Sequence, residues 1–251
     1  MNARGAPRAE PLRILYLTAS SRGDLRVDEE IRRVKAGVRA ATHRDLVRIE
    51  HLPAATATDL LDGLTRFVPH VVHFSGHAGR EVLVFDTGGD AHGAGRPVRA
   101  SAFVRALQAV DVPPELVVLN ACRTRAQLAE LVKVVPLAVG MSEGVQNTDA
   151  MVFAARFYAA LTEGQSVRGA YRVAKVQMEL IGLPDADLPV LEHAPDVDPA
   201  AVKLVLPAPA GTGEAGRGGG TVNTITGGSH QGPIIMGRDI RFSGPSPEGT
   251  D

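Results

Sequence analysis

Five short runs constrain this chain most: "RILYLT" (13–18), "LVRIEHL" (46–52), "HVVHFS" (70–75), "ELVVLNA" (115–121) and "PLAVGM" (136–141). They are mostly apolar on both faces, and amphipathic stretches separate them. A strand with two apolar faces needs cover on both sides, and parallel neighbours need crossovers long enough to hold a helix. The pattern therefore predicts an α/β fold, a three-layer α/β/α sandwich around a mostly parallel sheet. At 251 residues, 44% hydrophobic and 4% aromatic, the chain can bury one sizeable core. After Asp24, Ile31, Val34, Val38 and Ala41 fall on one helical stripe, and "ATDLLDGLTRFV" and "SAFVRALQAV" are further amphipathic helices. Two long helices follow Met141, with Thr148 or Asn147 and then Ser166 as expected N-caps. "EVLVFD" with the Gly-rich stretch behind it predicts a hairpin inserted after the third parallel strand, and "AVKLVL" a last short edge strand.

The organisation read from composition is a flexible N-terminus over 1–11 and a folded domain over 12–206. Beyond these come a flexible linker "PAPAGTGEAGRGGG" over 207–220, a β-prone segment over 221–242 and a disordered end over 243–251. A net charge of −1 with scattered signs gives no electrostatic case for nucleic acid or anionic membrane as partner. No run of 18 apolar residues and no signal-type apolar region occur, so a cytoplasmic location is expected. One cysteine excludes an intramolecular disulfide and a Cys-rich zinc site, and neither metal nor cofactor is expected. "TASSRGD" lacks the glycine spacing and the lysine of a phosphate loop.

Reactive groups in open parallel sheets sit at the carboxyl ends of the strands. "HFSGHAG" places His77 just past one such end, and "VVLNACRT" places Cys122 just past another. If those strands are neighbours, thiol and imidazole face each other. The imidazole can then take the thiol proton to give a thiolate nucleophile and return it to a leaving amine. The backbone N–H groups of Ala78 and Cys122 are candidate oxyanion donors. His73, inside the strand on the same face as Ser75, reads as structural, and His92, in the Gly-rich insertion, as solvated.

Residues 12–195 resemble the caspase-like clan of cysteine peptidases. The likeness rests on the His-Gly motif "HFSGHAG" and the Ala-Cys motif "LNACRT" at this separation, and on "SRGDLRVDEEIRRV" and "DAMVFAARFYAALTEGQSVRGAYRVAK", which point to its CHAT branch. Ala78 stands where the usual glycine follows the histidine, and Asn120 where caspases have a pocket-lining glutamine. The resemblance implies a Cys122–His77 endopeptidase acting on a protein substrate. Asn120, Glu143 and Asp149 are its candidate pocket residues, and Asp149 is either the partner of a basic P1 side chain or a first-turn acid favoured by the helix dipole. No caspase-style processing loop is visible between Cys122 and Leu137, so activation by another route is expected.

The tail "TVNTITGGSHQGPIIMGRDIRF" resembles bacterial amyloid signalling motifs related to the RIP homotypic interaction motif, through Asn223, Ile225, Gly227, Gly232, Ile234, Ile235 and Gly237; Met236 departs from the pattern's glutamine. That likeness implies self-assembly and a nucleotide-binding receptor with a matching motif as partner. The combined expectation is an effector peptidase of a bacterial immune, antiphage or cell-death system, recruited and activated through its tail. A non-catalytic caspase-like adaptor is the alternative. Alone and as monomer, the tail is expected to be disordered, because its glycine content cannot offset the entropy of ordering.

Overall fold

A computed structural model of the chain describes residues 10–79, 81–88, 93 and 95–206. His92 and the whole signalling segment lie outside these residues. The described chain runs β1 (Leu12–Ala19), α1 (Val27–Ala40), β2 (Val47–Leu52), α2 (Ala57–Asp62), β3 (Val71–Gly76), β4 (Ala78–Gly79), β5 (Val82–Phe85), β6 (Arg96–Arg99) and α3 (Ala100–Gln108). It continues through β7 (Leu116–Asn120), α4 (Arg125–Leu131), β8 (Leu137–Met141), α5 (Asn147–Thr162), α6 (Val167–Leu180) and β9 (Pro189–His193).

Six strands form one sheet in the order β2-β1-β3-β7-β8-β9. The first five run parallel and β9 is antiparallel to β8. Alternate side chains sort into two cores, as strand geometry requires. Leu12, Ile14 and Tyr16 of β1 face α1, α5 and α6, whereas Leu15, Leu17 and Ala19 face α2, α3, α4 and β5. The three-layer sandwich is thus present, with both faces of the central strands buried. The buried apolar residues of α1 are Ile31, Val34 and Val38, which with Ala41 just past its end make the stripe that the sequence marks out.

The inserted hairpin is a small antiparallel sheet, β4-β5-β6, which leaves β3 immediately after His77. Two expectations at the edges of elements differ. Helix α5 starts at Asn147 with Gln146 at its N-cap and no side-chain cap, because the loop before it is held by other contacts; Ser166 does cap α6, accepting from Gly169 N–H. "AVKLVL" makes only an isolated bridge between Lys203 and Ser166, while its Leu204 and Val205 are buried in the core. The closing edge is instead β9, whose "PVLEH" carries too few apolar residues to stand out.

Candidate active site

Strands β3 and β7 are hydrogen-bonded neighbours whose last paired residues are Ser75 and Asn120. His77 and Cys122 each follow two residues later, past the carboxyl ends of neighbouring strands that lie about 4.8 Å apart. The helix and hairpin between the two motifs form the crossover. Cys122 is half-buried, and its thiol donates a weak bond to the Val145 carbonyl at 3.8 Å. Arg123, next in sequence, adopts the left-handed conformation (φ 56°), and its N–H donates to the Glu143 carbonyl at 3.0 Å. This turn breaks β7 off beneath the thiol.

His77 bonds to Asp24, with Nε2 2.8 Å from Oδ1. A carboxylate only accepts, so Nε2 carries the proton and Nδ1 is left free to accept one. The same bond holds the Asp24 carboxyl below its ordinary range. Asp24 comes from the loop after β1, the other neighbour of β3, where Ala19 pairs with Gly76. The His77 carbonyl accepts from Val84 N–H at 2.9 Å. Exchanged pairs alternate along an antiparallel ladder, so the next pair, Ala78 with Leu83, is not bonded and the Ala78 N–H points away from β5.

Close packing stiffens both strand ends. A Cβ on Gly76 would lie 2.7 Å from the Ala19 carbonyl oxygen and 3.0 Å from the Phe74 ring, which explains the glycine before His77. Thr124 Oγ1 donates to the Ala121 carbonyl at 3.2 Å and accepts from Met141 N–H at 2.9 Å, tying the turn after Cys122 to β8. Gln127 of α4 donates to the Gly79 carbonyl at 2.7 Å and so links the helix behind Cys122 to the strand behind His77.

Beneath the two strand ends lies a polar cluster on the α1 and α5 side. The Glu30 carboxylate of α1, 1% exposed, receives Ser75 Oγ (3.0 Å) and Asn120 Nδ2 (2.9 Å) on Oε2. On Oε1 it receives the Tyr16 hydroxyl and His73 Nε2 (3.1 Å). Burial keeps His73 below its ordinary pKa, against the pull of Glu30. The neutral ring thus donates from Nε2 and accepts the Tyr158 hydroxyl at Nδ1, 3.0 Å away. Burial first, and then the Glu30 charge, push Tyr16 and Tyr158 well above the usual tyrosine range, so both stay protonated donors. The Tyr16 ring stacks on His73 with centroids 3.9 Å apart.

The three candidate pocket residues each have partners of their own. Asn120 is 4% exposed and faces Glu30 and the Ala150 carbonyl. Asp149 is 2% exposed and accepts from Asp185 N–H at 3.2 Å, while Asp185 in turn accepts from Gln146 N–H. Glu143 is exposed and 3.5 Å from Arg123. Asp24, Glu30 and Gln127 escaped the sequence reading. For Asp24 the available signal was the acid-rich loop "GDLRVDEE" leaving the same sheet edge as His77.

No curated protein matches the chain in sequence. In structure it is similar to the Arg-specific cysteine proteinase gingipain R, with a TM-score of 0.54 and 14% identity over 78% of this chain and 50% of that one; it thus spans about half of that proteinase. It is also similar to an inactive zymogen C11 protease from Parabacteroides distasonis, with a TM-score of 0.47 and 10% identity over 70% of this chain and 60% of that one. The gingipain likeness is one of fold, and the fold is caspase-like. A family model described as the CHAT domain matches residues 25–182, which reach from the loop behind Asp24 to the end of α6 and include both His77 and Cys122. That span is more than half of the sequence, and the chain belongs to the CHAT domain family.

Proposed function

We propose that the folded domain is a cysteine endopeptidase in which Cys122 is the nucleophile and His77 the general base and acid. The observation that supports this reading is the pairing of Ser75 with Asn120, each two residues before a reactive side chain, with Asp24 holding Nε2 of His77 and so leaving Nδ1 for the thiol. The Cys122 proton passes to His77 Nδ1, and the thiolate sulfur bonds to the scissile carbonyl carbon. The resulting oxyanion takes hydrogen bonds from backbone N–H groups, those of Ala78 and Cys122 in this proposal. Collapse breaks the C–N bond, and the amine leaves with the proton from His77. Water then adds to the thioester while His77 takes its proton, which releases the acid and restores the thiol.

For the substrate we propose a basic P1 residue, a reading that the Arg specificity in the name of gingipain R parallels, with Asp149 as its partner in place of the Asp185 N–H that it holds here. The tail over 221–242 is the recruiting segment in this proposal. It meets a matching motif on a nucleotide-binding receptor and concentrates the peptidase in a bacterial immune or cell-death response. A fluorogenic peptide library tests the reading, applied to the full chain with and without preformed fibrils of the 221–242 peptide. Cleavage that Cys122→Ala and His77→Ala each abolish is the expected result. Undiminished cleavage by Cys122→Ala overturns the mechanism, and no cleavage under any condition favours the adaptor.

A further inference from the structure

We propose that Glu30 is a positioning residue that sets the distance between His77 and Cys122 by tying β3 to β7 at their last shared register. This inference rests on the peptidase reading above. One oxygen of a buried carboxylate holds both Ser75 and Asn120, the final paired residues of the two strands and each two residues short of a reactive side chain. Asn120 extends the tie to α5 through the Ala150 carbonyl. Six residues before Glu30, at the start of the same segment, Asp24 grips His77. The loop before α1 therefore touches the imidazole directly, and the first turn of that helix touches both supporting strands from below.

Stability alone does not account for this choice. Burying a carboxylate is costly unless its lone pairs are all used, and apolar side chains of similar volume commonly serve a core as well or better. Glu30 uses two hydrogen bonds on each oxygen. What the carboxylate supplies and an apolar residue does not is direction, a fixed point from which two adjacent strand ends are held at once. The side chains that continue from those ends need that constraint, since a thiol and an imidazole exchange a proton only within hydrogen-bond reach.

The chain has one cysteine, so alkylation by iodoacetamide reads Cys122 alone and needs no substrate. The test compares the pH dependence of that rate, from about pH 5.5 to 9.5, with the melting temperature of each full-length variant. A cysteine paired with an imidazolium stays reactive well below the pKa of about 8.5 of a free thiol. In the wild type, reactivity at pH 6 is expected and is lost in His77→Ala. Glu30→Gln, Ser75→Ala and Asn120→Ala should each lower the rate at pH 6 by about tenfold or more and move the profile toward that of a free thiol. Tyr158→Phe disturbs the same cluster but none of the ties to the strand ends, and should lower the melting temperature without moving the profile. If Glu30→Gln fails to fold, Ser75→Ala and Asn120→Ala decide. A His77-dependent profile that those variants leave in place overturns the role of Glu30 alone, as does a Tyr158→Phe shift equal to theirs. A wild-type profile indifferent to His77 overturns the peptidase reading and the inference with it.

Discussion

Asp24 is half-exposed, yet in the proposed mechanism the direction of proton flow at His77 turns on it. Replacing it with alanine removes the acceptor that keeps the proton on Nε2, so the imidazole spends part of its time with Nδ1 protonated and unable to serve as base. Asp24→Ala should lower kcat by about tenfold or more, within the range ascribed to general-base catalysis, and leave the melting temperature nearly unchanged. Its lowered carboxyl pKa fixes the sign of the pH effect: the hydrogen bond contributes fully above the ordinary carboxylate pKa and is lost as pH falls through the lowered value. Asp149 separates charge from anchoring in a comparable way. Asn at this position still offers an oxygen to Asp185 N–H, so Asp149→Asn should keep the fold while flattening any preference for Arg or Lys at P1. A library in which the variant keeps the wild-type preference removes Asp149 from the pocket and leaves it as the anchor of the loop before α5.

Among elements, the junction of β3 with β4 leaves no room for added volume. Gly76→Ala would press a methyl group into the Ala19 carbonyl and the Phe74 ring. Overpacking of this kind costs about 1–3 kcal/mol. Guanidinium unfolding should show a loss of that size, together with a larger fall in activity because His77 is the next residue. The central strands were legible in the sequence because hydrophobicity on both faces leaves few alternatives, and the His-Gly and Ala-Cys motifs because each ends such a strand. Strand β9 was not legible, since an edge strand needs only one apolar face and a short one leaves little pattern. Glu30 was hidden for a different reason. Its partners Ser75 and Asn120 are 45 and 90 residues away, and an acid in the first turn of a helix already has a local explanation in the dipole.

For the molecule as a whole, His73 couples the core to pH. Its folded pKa lies below the unfolded value of 6.5, so the unfolded chain binds the extra proton first and stability falls as pH drops below about 6.5. Above that value the contribution is complete. The slope approaches about 1.4 kcal/mol per pH unit for one proton, and denaturant midpoints between pH 5 and 8 should show it; a flat profile would mean that the imidazole titrates alike in the folded and unfolded chain. The proposed tail gives a second prediction at this scale. The full chain at micromolar concentration should bind thioflavin and diffract with spacings of about 4.7 and 10 Å, whereas Ile235→Pro should do neither. Persistent solubility of the wild type would leave the peptidase without its proposed switch. The two outer strands of the main sheet bear on that assembly. Strand β2 interleaves Arg48 and Glu50 with its apolar residues, and β9 opens on Pro189 and ends on Glu192 and His193. Charges and proline along an exposed edge discourage further strands from adding to it. In the proposed assembly, a fibril growing from the tail is therefore discouraged from templating on the main sheet, and many copies can crowd together without those sheets fusing.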